Sequence, residues 1–189
     1  PSVRRDSIAL IDRGLRGIRD VVRTVLATYR DDREPRPLAP ADLDDMRLLI
    51  SSEVRRKRLA LDWRNAVTEN LALPASAVRQ ILLNLLLNAV SAVEDQGSVM
   101  VDIACAGGEL TIVVEDDGPG LSVPAAEVLT GRSARPLLQG EGAGLGLWVS
   151  QRLAAGLGGR IAVAQGASGG ARIVVSIPLA GDRELRHVA

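Results

Sequence analysis

From residue 80 to residue 93 the chain reads QILLNLLLNAVSAV, aliphatic at most positions but carrying Gln80, Asn84, Asn88 and Ser91. These four and Asp95 follow one another in steps of four, four, three and four, which on a helix stacks them into one narrow polar stripe. The pattern predicts a helix over 77–95, capped by Ser76, buried on most sides, with one wettable line. Burying an unpaired amide costs about 1–3 kcal/mol, so the stripe has to face something polar. Two readings remain open from the residues alone: the asparagines satisfy backbone groups in the core, or they face a ligand.

Other stretches have different periods. In residues 2–30, Ile8, Ile11, Leu15, Ile18, Val22, Val25 and Tyr29 alternate steps of three and four, the seam of a long coiled-coil-like helix. Pro35, Pro37 and Pro40 then mark a linker over 31–40. Helix is expected over 41–58, a strand over 59–66 and a short strand or turn over 71–74. SVMVDIACA and ELTIVVEDD flank Gly107-Gly108 as a hairpin. Residues 117–143 show no period and read as a long loop. A helix over 145–157 leads into a last strand pair, RIAVAQ and ARIVVSIPL, around a turn at 166–170. Helices interleaved with antiparallel hairpins predict an α+β fold, a two-layer sandwich with helices on one face of the sheet. The expected domains are 1–34 for the bundle-like helix, 35–180 for the sandwich and 181–189 for a tail.

Composition narrows the function. Lys+Arg and Asp+Glu both total 23, and aromatics make up 2% with no Phe, so neither a basic field nor a stacking platform favours nucleic acid. The single cysteine, Cys105, gives no internal disulfide framework and suits a reducing cytosol, where it is expected in core packing. No uninterrupted apolar stretch of about 20 residues is present, so no membrane contact is expected of this segment. The chain does not begin with Met and is expected to be a piece of a longer protein.

Three stretches carry candidate chemistry. Carboxamide oxygens of Asn84 and Asn88 are hard, neutral ligands of the kind Mg²⁺ accepts alongside its waters. In VVEDDGPGL, Leu110, Ile112, Val114 and Asp116 share one strand face, so Asp116 points into the layer between sheet and helices while Asp117 faces out to solvent. An inward carboxylate suits the exocyclic amino group of adenine and opposes the carbonyl of guanine. Gly118 and Gly120 let the chain turn and a flat base approach. In GEGAGLGLWVSQ, Gly140, Gly142, Gly144 and Gly146 lead into a helix N-terminus, a cradle for phosphate oxygens to which Arg132 and Arg135 add charge. An Asp-Gly turn and a glycine hinge are the plain alternatives.

Taken together, Asn84-x-x-x-Asn88-Ala89, Asp116-x-Gly118-x-Gly120 and Gly142-x-Gly144-Leu145-Gly146-Leu147 resemble the N, G1 and G2 boxes of sensor histidine kinases. These share the Bergerat ATP-binding fold, a mixed sheet with helices on one face, with Hsp90, MutL and type II topoisomerases. The resemblance covers about residues 36–179 and makes 121–143 an ATP lid. It implies MgATP as cofactor, with Asn88 on the metal, Asn84 contacting phosphate or assisting the metal as the catalytic residue, and Asp116 on adenine. Gly142, Gly144, Leu145 and Gly146 would wrap the triphosphate. It further implies a homodimer through the N-terminal helix and transfer of the γ-phosphoryl to a histidine upstream of residue 1. From there it would pass to the aspartate of a response-regulator receiver domain, in a cytoplasmic part of a protein that is anchored to a membrane or soluble. Related ATPases place a glutamate where Asn84 stands, so the asparagine argues for phosphotransfer over hydrolysis. A hydrolysing ATPase of the same superfamily and a degenerate phosphotransfer or dimerisation scaffold are the alternatives. The chain departs from the pattern in having no Phe, for which Val128 or Leu129 substitutes, in carrying Ala171 where threonine is frequent, and in having His187 as its only histidine.

Overall fold

The computed structural model describes residues 36–132 and 144–179. The N-terminal heptad helix, Arg135, Gly142 and His187 lie outside the described residues. The elements in chain order are β1 (Pro37–Leu38), α1 (Pro40–Lys57), β2 (Ala60–Asn65), β3 (Leu71–Pro74), α2 (Ala75–Ala92), β4 (Ser98–Ala106), β5 (Glu109–Asp116), α3 (Val123–Leu129), α4 (Gly144–Gly156), β6 (Arg160–Gln165) and β7 (Ala171–Pro178). Five strands form a mixed sheet in the order β2-β4-β5-β7-β6, with β2 parallel to β4 and every other pairing antiparallel. Both hairpins expected from their glycines are present, and the helices pack on one side.

Alternation sets the layers. Val99, Val101 and Ile103 of β4, Leu110, Ile112 and Val114 of β5, and Ile173, Val175 and Ile177 of β7 all turn inward and are buried. They meet α2, in which Ile81, Leu82, Leu85 and Leu86 are fully buried. By length and composition α2 is apolar enough to cross a bilayer, but its side chains form the middle of this core.

Four local expectations give way to tertiary context. Pro37 and Leu38 belong to no linker: they pair with β3 in a separate two-stranded sheet, and Pro40 opens α1 at the first-turn position that lacks a need for an N–H. Ser76 does not cap α2. The chain passes straight from β3 into the helix through Pro74, and the Ala75 N–H donates to the Arg36 carbonyl instead. The long loop holds α3, whose Ser122 hydroxyl accepts from the Ala125 N–H and whose Ala125, Val128 and Leu129 are buried. Seven residues are too few for a period to show. Asp117 is not left to solvent, since it accepts from the Ser98 N–H and hydroxyl and so fixes the start of β4.

The two long helices are held at their ends by charge. At the start of α1, the Arg36 guanidinium grips both carboxylate oxygens of Asp42, which also reaches back to the Ala39 N–H. The Arg36 contact holds the Asp42 carboxyl below the usual range against the opposing effect of burial. At the other end, the Lys57 ammonium donates to the carbonyls of Val90, Ser91 and Val93, closing the C-terminus of α2 from a neighbouring helix. Replacing Lys57 by Met keeps the aliphatic stem and removes these bonds. Urea unfolding of the Lys57→Met variant is expected to show a loss of about 1.5–3 kcal/mol, the range for hydrogen bonds from a charged donor; a loss below about 0.5 kcal/mol would contradict this role.

Candidate functional site

The polar stripe of α2 divides into two parts with different fates. Asn84 is 3% exposed, and its carboxamide is committed to the protein on both sides. Its oxygen accepts from Gln80 Nε2 at 3.0 Å, while its nitrogen donates to the Gly146 carbonyl at 3.0 Å and to Ser150 Oγ at 3.1 Å. Because a backbone carbonyl only accepts, the nitrogen must face Gly146, which fixes the orientation of the amide. Ser150 in turn donates to the same Gly146 carbonyl at 2.9 Å. The first turn of α4, where the glycine-rich stretch ends, is thereby tied to the middle of α2. Asn84, for which the resemblance implied a phosphate or metal contact, makes these bonds within the protein.

Asn88, one turn further on, is half-buried, and its nitrogen has no hydrogen-bond partner among the described residues. A buried amide nitrogen left without a partner is rare in a folded protein and marks Asn88 as a candidate for a ligand contact. Another turn along, the Ala92 carbonyl lies against the Asp116-x-Gly118 turn: a Cβ on Gly118 would stand 3.0 Å from Ala92 O and 3.0 Å from Asp116 Oδ1. One face of α2 thus touches the end of the glycine-rich stretch through Asn84 and the β5 turn through Ala92, with Asn88 between them.

Asp116 is the inward carboxylate that strand alternation predicts, at 6% exposure. Its Oδ1 accepts from the Gly118 N–H at 3.0 Å and, more weakly, from the Ala171 N–H at 3.3 Å. Its Oδ2 has no hydrogen-bond partner among the described residues. Burial pushes the Asp116 carboxyl above the usual aspartate range, the two backbone donors oppose that rise, and the neighbouring Asp117 and Glu115 charges add to it. A desolvated acid with one oxygen fixed and the other free is an acceptor waiting for a donor.

The remaining predicted residues fall as follows. Gly120 has φ +80°, a left-handed conformation that glycine adopts without strain, and faces the backbone of Gly169 and Gly170. Gly144 begins α4, Leu145 is exposed, and Gly146 lies against Asn84. Arg132 is exposed just after α3. Cys105 is half-buried and packs on the core, as expected. Val128 and Leu129 are both fully buried. Ser150 and Gly170 were not singled out in the sequence. Ser150 sits one turn after Gly146, a spacing that in hindsight places it beneath the same asparagine. Gly170 has its Cα so close to β5 that a Cβ would stand 2.0 Å from the Asp116 carbonyl oxygen, and only the strand register reveals that approach.

Comparison with known proteins agrees with this arrangement. The model of the family described as histidine kinase-, DNA gyrase B-, and HSP90-like ATPase matches residues 74–181. Among curated relatives, the C4-dicarboxylate transport sensor protein DctB of Rhizobium meliloti is 34% identical over 94 residues, covering 49% of this chain and 15% of that protein. Sensor protein kinase CarS of Pseudomonas aeruginosa is 29% identical over 140 residues, covering 74% of this chain and 30% of that protein. The chain therefore spans less than a third of the length of either. Among solved structures, full-length ShkA in complex with AMPPNP matches with a TM-score of 0.67 at 26% identity, over 95% of this chain and 39% of that one. The nucleotide-free catalytic domain of histidine kinase ThkA shares the fold, with a TM-score of 0.62 at 18% identity over 74% of this chain and 92% of that one. With its mixed sheet, its asparagine-bearing central helix and its Asp116-x-Gly118 turn, the chain belongs to the family of histidine kinase-, DNA gyrase B- and HSP90-like ATPases.

Proposed function

We propose that residues 36–179 form the ATP-binding catalytic domain of a sensor histidine kinase, which holds MgATP and passes the γ-phosphoryl to a histidine supplied from outside this domain. The observation that carries this reading is the division between Asn84, fully hydrogen-bonded within the protein, and Asn88, whose amide has no partner among the described residues. ShkA, a structural relative that matches over 95% of this chain, was solved in complex with AMPPNP. Dimerisation through residues 1–34 and onward transfer to a receiver-domain aspartate belong to the same proposal, as does a cytoplasmic location for this domain.

The chain's own groups have separable tasks. Asp116 presents Oδ2 to the exocyclic amino group of adenine, while Oδ1 is held by Gly118 and Ala171. Asn88 would hold a magnesium ion through its carboxamide oxygen, and that ion would screen the charge of the phosphate oxygens. The Asn88 carboxamide oxygen, a hard neutral donor that no described residue engages, fits that ion. The N-terminal turn of α4 offers backbone N–H groups to the phosphates, and Asn84 with Ser150 keeps that turn in register with Asn88. Among the described residues, the groups bonded to Asn84 are Gln80, the Gly146 carbonyl and Ser150, none of them a base, and its own amide is not basic. Positioning without a general base favours transfer to a nucleophile over hydrolysis, so the ATPase alternative is disfavoured.

Calorimetric titration with ATP and Mg²⁺ tests the site directly. Asn88→Ala is expected to weaken magnesium-dependent binding by about 10–100-fold. Asn88→Asp retains an oxygen ligand and binds the metal complex, whereas Asn84→Asp loses both N–H donors and sets a carboxylate against the Gly146 carbonyl, so it lowers the unfolding midpoint. Equal tolerance of the two aspartates would contradict the division of roles. Asp116→Asn separates binding from stability. Since the folded Asp116 titrates above its unfolded value, its ionised form opposes folding at neutral pH, and the neutral amide relieves that opposition. The variant is expected to be no less stable than the parent without nucleotide, yet to bind ATP about 10–100-fold more weakly, as loss of a charge-assisted hydrogen bond implies. A variant that binds ATP as tightly as the parent would remove Asp116 from base recognition.

A further inference from the structure

We propose that Glu115 is a positioning residue for purine selection: from the opposite face of β5 it clamps the β6–β7 hairpin whose Ala171 N–H aims the Asp116 carboxylate. The proposal rests on the nucleotide-site reading given above and assigns a role to a residue on the face of the sheet turned away from the nucleotide.

Glu115 and Asp116 are consecutive in β5, so their side chains leave opposite faces of the sheet. Both nevertheless hold the same neighbouring segment. On the inner face, Asp116 Oδ1 accepts from the Ala171 N–H. On the outer face, Glu115 Oε1 accepts from the Ala167 N–H at 2.8 Å, and its Oε2 pairs with the guanidinium of Arg172. The Glu115 side chain is 14% exposed and Arg172 40%, so the carboxylate is sheltered and its partner half open. Those two donors hold the Glu115 carboxyl below the usual range, the Ala167 N–H contributing most, as expected of a working acceptor.

The clamped segment has little freedom between these two points. The turn closes on itself through Gly166 N–H to the Gly170 carbonyl at 2.8 Å and Gly169 N–H to the Gly166 carbonyl at 3.0 Å. A Cβ on Gly166 would stand 3.0 Å from Glu115 Oε1, and one on Gly170 would run into the Asp116 backbone. The tip of the hairpin is therefore seated on β5 by close backbone contact, with Glu115 under one end and Asp116 under the other. If Ala167 lifts, Gly170 and Ala171 lift with it, and Asp116 Oδ1 loses the second of its two donors. A carboxylate fixed by one donor in place of two can rotate, and Oδ2 then no longer points in one direction. Discrimination between an amino group and a carbonyl on the purine depends on that direction.

Binding of MgADP and MgGDP by calorimetry, on the intact chain and its variants, tests the role. The parent is expected to favour ADP. Glu115→Ala is expected to weaken ADP about tenfold while changing GDP little, so that the preference falls by the same factor. Glu115→Gln keeps an acceptor for the Ala167 N–H and is expected to restore most of the preference. Arg172→Leu leaves that bond in place but frees the carboxylate, and is expected to lower the preference about threefold. It is also the variant that decides should Glu115→Ala not fold. A purely structural role would weaken ADP and GDP alike, and an unchanged ADP-to-GDP ratio in Glu115→Ala and Arg172→Leu would overturn the proposal while leaving the nucleotide site intact. A parent protein that binds neither nucleotide would overturn the nucleotide-site reading itself, and this proposal with it.

Discussion

A carboxamide in a hydrophobic helix is tolerated only when both its ends are paired, and at Asn84 they are, by groups from two helices distant in sequence. That single pairing decides where the first turn of α4 can sit. Leaving the amide unpaired would strand a donor and an acceptor in the core, so the turn that carries Gly146 is held against α2 at this one register. Since Asn88 follows on the same helix face, the position of the first turn of α4 relative to Asn88 is set by the same interaction. The two asparagines look alike in the sequence, yet one is hydrogen-bonded within the protein and the other has no partner among the described residues.

The second constraint works in the opposite sense. Asp116 is kept in a place where its charge is disfavoured, and the protein offers it only two backbone donors on one oxygen. In its ionised form such a residue weakens the fold, and a donor to the free oxygen would offset that. Around it the structure is tight: a Cβ on Gly118 would crowd the end of α2 at 3.0 Å, and Gly170 fits against the β5 backbone with no room for a side chain beyond hydrogen. A stiff surround converts a modest hydrogen bond into a directional one.

Much of this could be read before any coordinates. The four-four-three spacing of Gln80, Asn84, Asn88 and Ser91 gave the buried helix and its stripe, and alternation in β5 turned Asp116 inward. The glycine pairs placed both hairpins. What could not be read depends on contacts between remote segments. No spacing within 80–93 distinguishes Asn84 from Asn88, because the difference lies in Gly146 and Ser150, which come more than 60 residues later. The Gly170 approach to Asp116 needs the β5–β7 register. Pro37–Leu38 becomes a strand only because β3 is there to receive it, and α3 is too short to announce itself by period. Asp117 was read as solvated because alternation gives a direction but says nothing of Ser98 waiting on the next strand.

Hydrogen exchange of the asparagine side-chain amides, followed by NMR in the nucleotide-free protein, addresses the central claim most directly. The account predicts that the Asn84 amide protons exchange slowly and barely shift when MgADP is added, while the Asn88 amide, which has no hydrogen-bond partner among the described residues, exchanges faster than that of Asn84 and moves on binding. An Asn84 amide that exchanges like a solvent-exposed one, or that responds to MgADP as strongly as Asn88, would contradict it.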